Sequence, residues 1–339
     1  MTASRAKEQV KAALAAVDSE AAGTIEKVEM LMEIAMGLQT RPKSLEDLES
    51  AVELYERALE ICPAEQYVLR ARLLARMGTA LQALPGADAD TLVRAQDSHE
   101  AARAVLRDHG REEELAEVEM NLGLVLQSLA SMGRAPITDA ISAYQRALRT
   151  FDRVAFPKEY AILQNNLATA FLSIPFTDER AKMREALAVQ SFEEGLQVVN
   201  IVDHPTEYAM LQNNLGNALQ YASSSHAVEN NLRALEAYAE ALKVRTRETT
   251  PLEYANTVAN RSNCLMNLPD DPEQPDKGNR DNLMRARSGY ADALEIFEQS
   301  GEAEKAGLIR ETIEEIAQEL ERQGGDRSNG SGAQEDARI

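Results

Sequence analysis

Ala234-Leu-Glu-Ala-Tyr-Ala-Glu-Ala-Leu242 places an alanine, an aromatic four residues later and a second small residue three after that. The same figure recurs as Ala51/Tyr55/Ala58, Ala95/His99/Ala102, Ala140/Tyr144/Ala147, Ala188/Phe192/Gly195 and Ala286/Tyr290/Ala293. Spacings of four and three put all three side chains on one helical face, where small residues let a neighbouring element come close. Six copies at intervals of 44 to 52 residues predict an all-α chain, a right-handed α-solenoid of about six helix-turn-helix repeats.

A second helix runs between successive copies. Its clearest forms are Leu211-Gln-Asn-Asn-Leu-Gly-Asn-Ala-Leu219 and Leu163-Gln-Asn-Asn-Leu-Ala-Thr-Ala-Phe171, each preceded by Pro-x-Glu-Tyr-Ala. Its small anchor residue recurs as Gly78, Gly123, Ala168, Gly216 and Ser262, with Gly37 as a degenerate first copy. We term this the A helix and the alanine/aromatic one B. From each B aromatic to the next A anchor the separation is 23 or 24 residues, whereas from an A anchor to its own B aromatic it runs from 18 to 28. A constant B-to-A separation marks a packed junction, and a variable A-to-B separation marks a surface loop. Pro85, Pro136, Pro175 and Pro269 fall in those loops, where they stop helices without harm.

Leu-Gly or Leu-Ala in helix A, Ala-x-x-x-Tyr-x-x-Ala-Leu in helix B and Pro before the next A helix resemble the tetratricopeptide repeat (TPR) superfamily over residues 24 to 300. Asn-Asn-Leu-Gly/Ala with a period near 45 is similar to its long-helix, kinesin-light-chain-like branch and to bacterial repeat proteins found beside caspase-like proteases. The period exceeds the 34 residues of the standard repeat. The aromatic near the start of helix A is Tyr160, Tyr208 or Tyr254 and never Trp, His99 replaces one B aromatic, and Arg261 replaces a buried leucine. The resemblance implies that the free face of the A helices lines the inner, concave surface and binds an extended protein segment.

The remaining organisation follows from composition. The 339 residues hold no Trp and 4% aromatics. A solenoid grows by nearest-neighbour contacts, so one elongated domain is expected. Residues 1–23 read as an N-terminal helix, centred on Arg5 to Val17, that covers the first repeat, and 24–301 as the repeats. Residues 302–323 read as a charged capping helix with Leu308, Ile309, Ile313, Ile316 and Leu320 on one side, and 324–339 as a disordered Gly/Ser/Asp-rich tail. No signal peptide and no run of eighteen apolar residues is visible, and cytoplasmic is the default reading. Cys62 and Cys264, about 200 residues apart, are not expected to pair.

The formal charge of −20 argues against nucleic acid and anionic membrane as partners. It reads either as simple solvation of an extended surface or as a field that steers in a basic partner. No catalytic motif is present: no Gly-x-Gly-x-x-Gly, no Walker-type loop, no His-Glu-x-x-His and no Cys-x-x-Cys. His99, His109, His204 and His226 show no metal-ligand spacing, and His99 reads as a core histidine in an aromatic slot. Asp270-Asp-Pro-Glu-Gln-Pro-Asp276 lacks the EF-hand spacing and reads as a solvated acidic loop. The chain is therefore expected to be no enzyme and to carry no cofactor and no metal.

Candidate binding residues come from the A helices. With the anchor as zero, apolar residues at −8, −5, −1 and +3 share one side, and −6, −2, +1 and +5 fall opposite. At −2 stand Arg76, Asn121, Asn166, Asn214 and Asn260. The last A helix carries Asn256, Asn260, Asn263 and Asn267 in this stripe. The one before carries Met210, Asn214, Asn217 and Tyr221, and the one before that Ile162, Asn166, Thr169 and Ser173. Asn is a mediocre helix former, so repeated use at helix centres asks for a reason. A carboxamide offers donors and an acceptor without charge, which suits an extended peptide backbone. The competing reading has the same residues bonding across to neighbouring helices and stitching repeats together. Asn165 and Asn213 at −3, with Gln164 and Gln212 at −4, read as structural. At −3 no Lys or Arg occurs, so the basic clamp for a C-terminal carboxylate is missing, and an internal or basic segment is favoured. The leading expectation is an adaptor or scaffold that binds another protein. The alternatives are a regulatory or inhibitory subunit docking on an effector such as a protease through its outer face or loops, and an enzyme or small-molecule carrier that uses the inside of the superhelix as a pocket. Separately, the capping helix carries enough apolar surface for self-association.

Overall fold

The computed structural model describes residues 10, 12, 14–15, 22–175, 179–222 and 226–330, with side chains as far as Gln323. Within these the chain is helical without a strand, and it divides into two compact units, Met1–Phe156 and Pro157–Ile339.

Unit 1 holds three hairpins: α1 (Thr24–Thr40) with α2 (Leu45–Ile61), α3 (Tyr67–Gln82) with α4 (Ala89–His109), and α5 (Glu112–Ser131) with α6 (Ile137–Ala147). Unit 2 holds α7 (Pro157–Leu172) with α8 (Glu179–Leu196), α9 (Pro205–Gln220) with α10 (Ala227–Leu242), and α11 (Pro251–Met266) with α12 (Arg280–Gln299). The last hairpin is followed by α13 (Ala303–Gly330), which packs on α12. Odd-numbered helices up to α11 are the A helices and even-numbered ones the B helices. Each B helix also packs on the next A helix in its unit, as α2 on α3, α4 on α5, α8 on α9 and α10 on α11. Successive A helices touch as well (α1 and α3, α3 and α5, α7 and α9, α9 and α11), while among the described residues successive B helices within a unit do not. The A side is thus the crowded, inner side of each α-solenoid stack, and the B side is splayed.

The repeated small residues have a concrete cause. In the middle hairpins the B aromatic lies flat on the A-helix backbone at the anchor. A Cβ at Gly123 would stand 2.4 Å from Tyr144 Cε1, and one at Gly216 would stand 2.6 Å from Tyr238 Cε1. At Gly78 the imidazole of His99 takes the same place, 2.8 Å from such a Cβ. The flanking alanines Ala51, Ala58, Ala95, Ala102, Ala140, Ala147, Ala234 and Ala241 are fully buried. Gly37 meets nothing within 4 Å, in keeping with its degenerate place in the series. In the last hairpin the close approach shifts by one residue, from Tyr290 to Gly289, which abuts Ser262.

Helix starts follow ordinary capping chemistry. Asp88 Oδ1 accepts from Thr91 N at 2.8 Å, Asp47 Oδ2 accepts from Ser44 N at 3.1 Å, and Pro205 and Pro251 open their helices where no amide partner is needed. The acidic loop before α12 is organised rather than loose. Asp270 accepts from the backbone amides of Asp281 (2.9 Å) and Asn282 (2.8 Å), and Asn282 Nδ2 donates back to the carbonyl of Pro269 (2.9 Å). Of the expected N-terminal helix over residues 1–23, positions 10, 12, 14 and 15 are helical and 22 and 23 are not, with Val10 buried and Leu14 packed in the unit 1 core, and the rest lies outside the described residues. The final helix continues to Gly330, seven residues past the boundary placed at 323, and 331–339 lie outside the described residues. No helix among the described residues is long and apolar enough to cross a membrane.

Candidate functional site

In unit 2 the asparagines of α7, α9 and α11 form a directional chain of carboxamides across the inner layer. Asn260 Nδ2 donates to Asn213 Oδ1 (3.4 Å), Asn213 Nδ2 to Asn214 Oδ1 (3.0 Å), Asn214 Nδ2 to Asn165 Oδ1 (2.8 Å) and Asn165 Nδ2 to Asn166 Oδ1 (3.2 Å). The −3 and −2 residues therefore act together, each pair on one helix passing the bond to the next helix. Asn165, Asn166 and Asn213 are buried, with Asn166 only 8% exposed, while Asn214 and Asn260 are half-buried. A carboxamide has two N–H donors and two acceptor lone pairs, so each residue within the chain keeps one donor and one acceptor beyond those bonds.

The other candidates fall around this chain. Asn217 Oδ1 accepts from the Tyr238 hydroxyl at 2.7 Å, a contact shared with Gln220 Oε1 at 2.9 Å. Asn263 Nδ2 donates to the Tyr221 hydroxyl at 2.6 Å, and the Tyr221 side chain is 67% exposed. Asn267 Nδ2 returns to the Asn263 carbonyl (2.9 Å), and Thr169 Oγ1 to the Asn166 carbonyl (2.9 Å). Met210 and Asn256 are half-buried on the same stripe.

Asn121 belongs to unit 1, where it lines a cleft of about 210 Å³ between α1, α3 and α5. Met32, Met36, Leu106 and Val118 supply its apolar walls. Across it Arg72 pairs with Glu114 through two bonds (2.8 and 3.3 Å), and Arg76 stands 3.8 Å from Glu117. The inner face of unit 1 is thus charged and cross-linked, and that of unit 2 is carboxamide-rich.

One recurrent pairing escaped the sequence reading. Tyr160, Tyr208 and Tyr254, each eight residues before its anchor, donate to Glu194 (3.3 Å), Glu240 (2.9 Å) and Asp292 (2.6 Å), each two residues after the B aromatic. The signal was present in the anchor-relative register, although the direct separations differ. The bond to Asp292, with burial, pushes the Tyr254 hydroxyl up to about 12. Burial and the bond to Glu240 push the Tyr208 hydroxyl up as well, so Tyr208 and Tyr254 stay protonated at physiological pH, and all three tyrosines act as clasps between A and B helices.

His99 is sealed in the α3/α4 core, both ring nitrogens lacking partners, and burial holds its pKa down at about 4. It is neutral at pH 7 and closed to substrate. Cys264 is buried against Asn231, donating to its carbonyl and side-chain oxygens at 3.2 Å, and burial pushes its thiol up to about 12. Cys62 is also buried and free. Among the described residues no group of three or more His, Cys, Asp or Glu could hold a metal ion.

No protein-family model and no curated protein matches the chain. Among solved structures, it is similar to a Rap protein complexed with Competence and Sporulation Factor, at 14% identity over 95% of this chain and 90% of that one, with a TM-score of 0.40. The TPR2AB domain of yeast Sti1 in its complex with pHSP90 is similar at 13% identity over 86% and 99%, with a TM-score of 0.29. Scores of this size define no common fold over the full length, and the architecture stated above rests on the helix pairing itself.

Proposed function

We propose that the chain is a non-enzymatic protein-interaction adaptor of the TPR type, in its long-period kinesin-light-chain-like form, acting in the cytoplasm. It holds an extended segment of a partner protein on the A-helix face. The carrying observation is the carboxamide stripe of unit 2, which lies on the crowded inner side and retains hydrogen-bonding capacity beyond its internal bonds. Asn256, Asn260, Asn263 and Asn267 with Asn214 and Asn217 would bond the backbone of the segment. Met210 and the exposed ring of Tyr221 would supply apolar contacts. With Asn165 and Asn213 the stripe also ties repeats together, so one set of residues serves rigidity and recognition, and a rigid stripe lowers the ordering cost of binding. The overall acidity of the chain favours a basic or neutral segment.

The test uses substitutions that leave the internal chain of carboxamides intact. Asn256→Ala/Asn263→Ala/Tyr221→Ala removes side chains at the rim, and its melting temperature should stay close to that of the parent. Partners captured from native lysate by the parent and identified by mass spectrometry should be lost on this variant. A partner retained in full by the folded variant would refute binding on this face.

A further inference from the structure

Against a chain charge of −20, one cleft in unit 1 carries the opposite sign. It measures about 690 Å³ and lies between the B helices α4 and α6, over the N-terminal half of α5. Arg103 and Arg107 line it from α4, four residues apart and so on one face; Arg146 lines it from the last turn of α6 and Arg149 from the turn just beyond that helix. Leu115 and Ala116 form part of the floor. Only two carboxylates, Glu112 and Glu119, reach the cleft.

Glu119 is buried and already engaged, accepting from Arg146 Nη2 at 2.8 Å with Arg103 Nη1 at 3.9 Å. It locks those two guanidinium groups in place and neutralises about one of them. Arg107 and Arg149 are exposed and make no ion pair among the described residues, and Arg146 Nε is a buried donor with no acceptor. The cleft therefore combines two guanidinium groups held on Glu119 with two exposed ones, Arg107 and Arg149, whose donors are unspent and suited to carboxylates, the planar oxygens of which match the guanidinium fork.

This site is separate from the inner groove. Glu114, Glu117, Val118 and Asn121 of α5 line the 210 Å³ cleft, while Glu112, Leu115, Ala116 and Glu119 line the arginine cleft. The two sets are offset by about two residues, which is roughly half a helical turn, so they occupy opposite faces of α5.

We infer that this arginine cleft is a second docking site, which takes an acidic segment of a partner protein by carboxylate pairing to Arg107 and Arg149. The global field repels such a segment, so capture requires the local donors and falls off with salt.

The test is fluorescence anisotropy with the full chain and a fluorescein-labelled decapeptide of glutamate, at 50 and 300 mM NaCl. An isosteric glutamine decapeptide serves as the neutral probe. The glutamate peptide should bind at least tenfold more tightly than the glutamine peptide at 50 mM and weaken at 300 mM. Arg107→Glu/Arg149→Glu, which alters exposed side chains, should reduce binding at least tenfold with circular dichroism unchanged. Arg57→Glu/Arg322→Glu makes the same change in net charge elsewhere and should leave binding within twofold. Equal binding of the two peptides would overturn the inference, as would equal loss in both variants. A ten-nucleotide single-stranded RNA bound more tightly than the glutamate peptide and lost in Arg107→Glu/Arg149→Glu would also overturn it, in favour of nucleic acid.

Discussion

Replacing His99 by tyrosine should make the protein more stable, by an amount that grows as the pH falls. The imidazole sits on Gly78 where the neighbouring hairpins carry a tyrosine ring, and both its nitrogens are buried without partners. Burial depresses its pKa from 6.5 in the unfolded chain to about 4 in the folded one. The folded state therefore binds the proton less readily. Stability is unaffected above pH 6.5, declines as the unfolded state protonates below it, and stops declining below about 4. The full span is worth about 3 kcal/mol, of which about 2 kcal/mol is lost between pH 7.5 and pH 5. The tyrosine has a partner waiting. Tyr144 and Tyr238 donate to Gln127 (2.9 Å) and Gln220 (2.9 Å), each four residues after its anchor, and the same position after Gly78 is Gln82. At pH 7.5 the new bond and the removal of the unpaired imidazole should together add roughly 1–3 kcal/mol. Urea unfolding of parent and His99→Tyr at pH 7.5 and pH 5, followed by circular dichroism, reads both effects, because every other titrating group is common to the two chains. An advantage of His99→Tyr that is no larger at pH 5 than at pH 7.5 would refute the assignment of a buried, proton-averse histidine.

Three further outcomes follow from the packing. Gly123→Ala forces a methyl into the ring of Tyr144 and should cost about 1–3 kcal/mol, whereas Gly37→Ala, with open space around it in a helix interior, should stabilise by about 0.5–1 kcal/mol; thermal melts of the two variants distinguish them. Asn165→Ala removes the link between Asn214 and Asn166 and leaves the Asn214 amide short of its acceptor, a loss of roughly 1–3 kcal/mol visible in urea unfolding. Neither cysteine should react with Ellman's reagent in the native protein over minutes at pH 8, because both are buried and Cys264 is held protonated, while both should titrate in guanidinium chloride.

What could be read from the chain alone, and what could not, divides by the range of the interaction. The alanine/aromatic figure was legible because helix pitch sets it within seven residues. The anchor glycines were legible because a ring laid on a backbone tolerates no side chain beneath it, as at Gly123 and Gly216. The Tyr160, Tyr208 and Tyr254 clasps were written at fixed places, eight before one anchor and two after the next aromatic. Their direct separations of 34, 32 and 38 residues hide them, since the intervening loop varies in length. The carboxamide chain was half legible. Its residue types and spacing stood out, but which asparagine meets which is decided by bonds spanning 47 to 49 residues, and these depend on the offset between stacked helices.

The arginine cleft left no periodic trace, and its place in the repeat explains why. Arg103 and Arg107 stand four and eight residues after the B aromatic position of their helix, Arg146 and Arg149 two and five after theirs. Residues that maintain the stack must recur in register, because every hairpin solves the same packing problem. Residues that recognise something need appear only once. On a repeat protein the solvent-accessible departures from register are therefore the informative positions: Arg76 among the asparagines at −2, and four arginines lining one cleft, two of them on Glu119, in a chain otherwise rich in carboxylates. Adding the glutamate peptide should accordingly leave the unit 2 stripe untouched. Its affinity in Asn256→Ala/Asn263→Ala/Tyr221→Ala should stay within twofold of the parent, since none of the three residues lines the cleft. A larger change would mean that the two surfaces are coupled, and that the off-register arginines answer to the register after all.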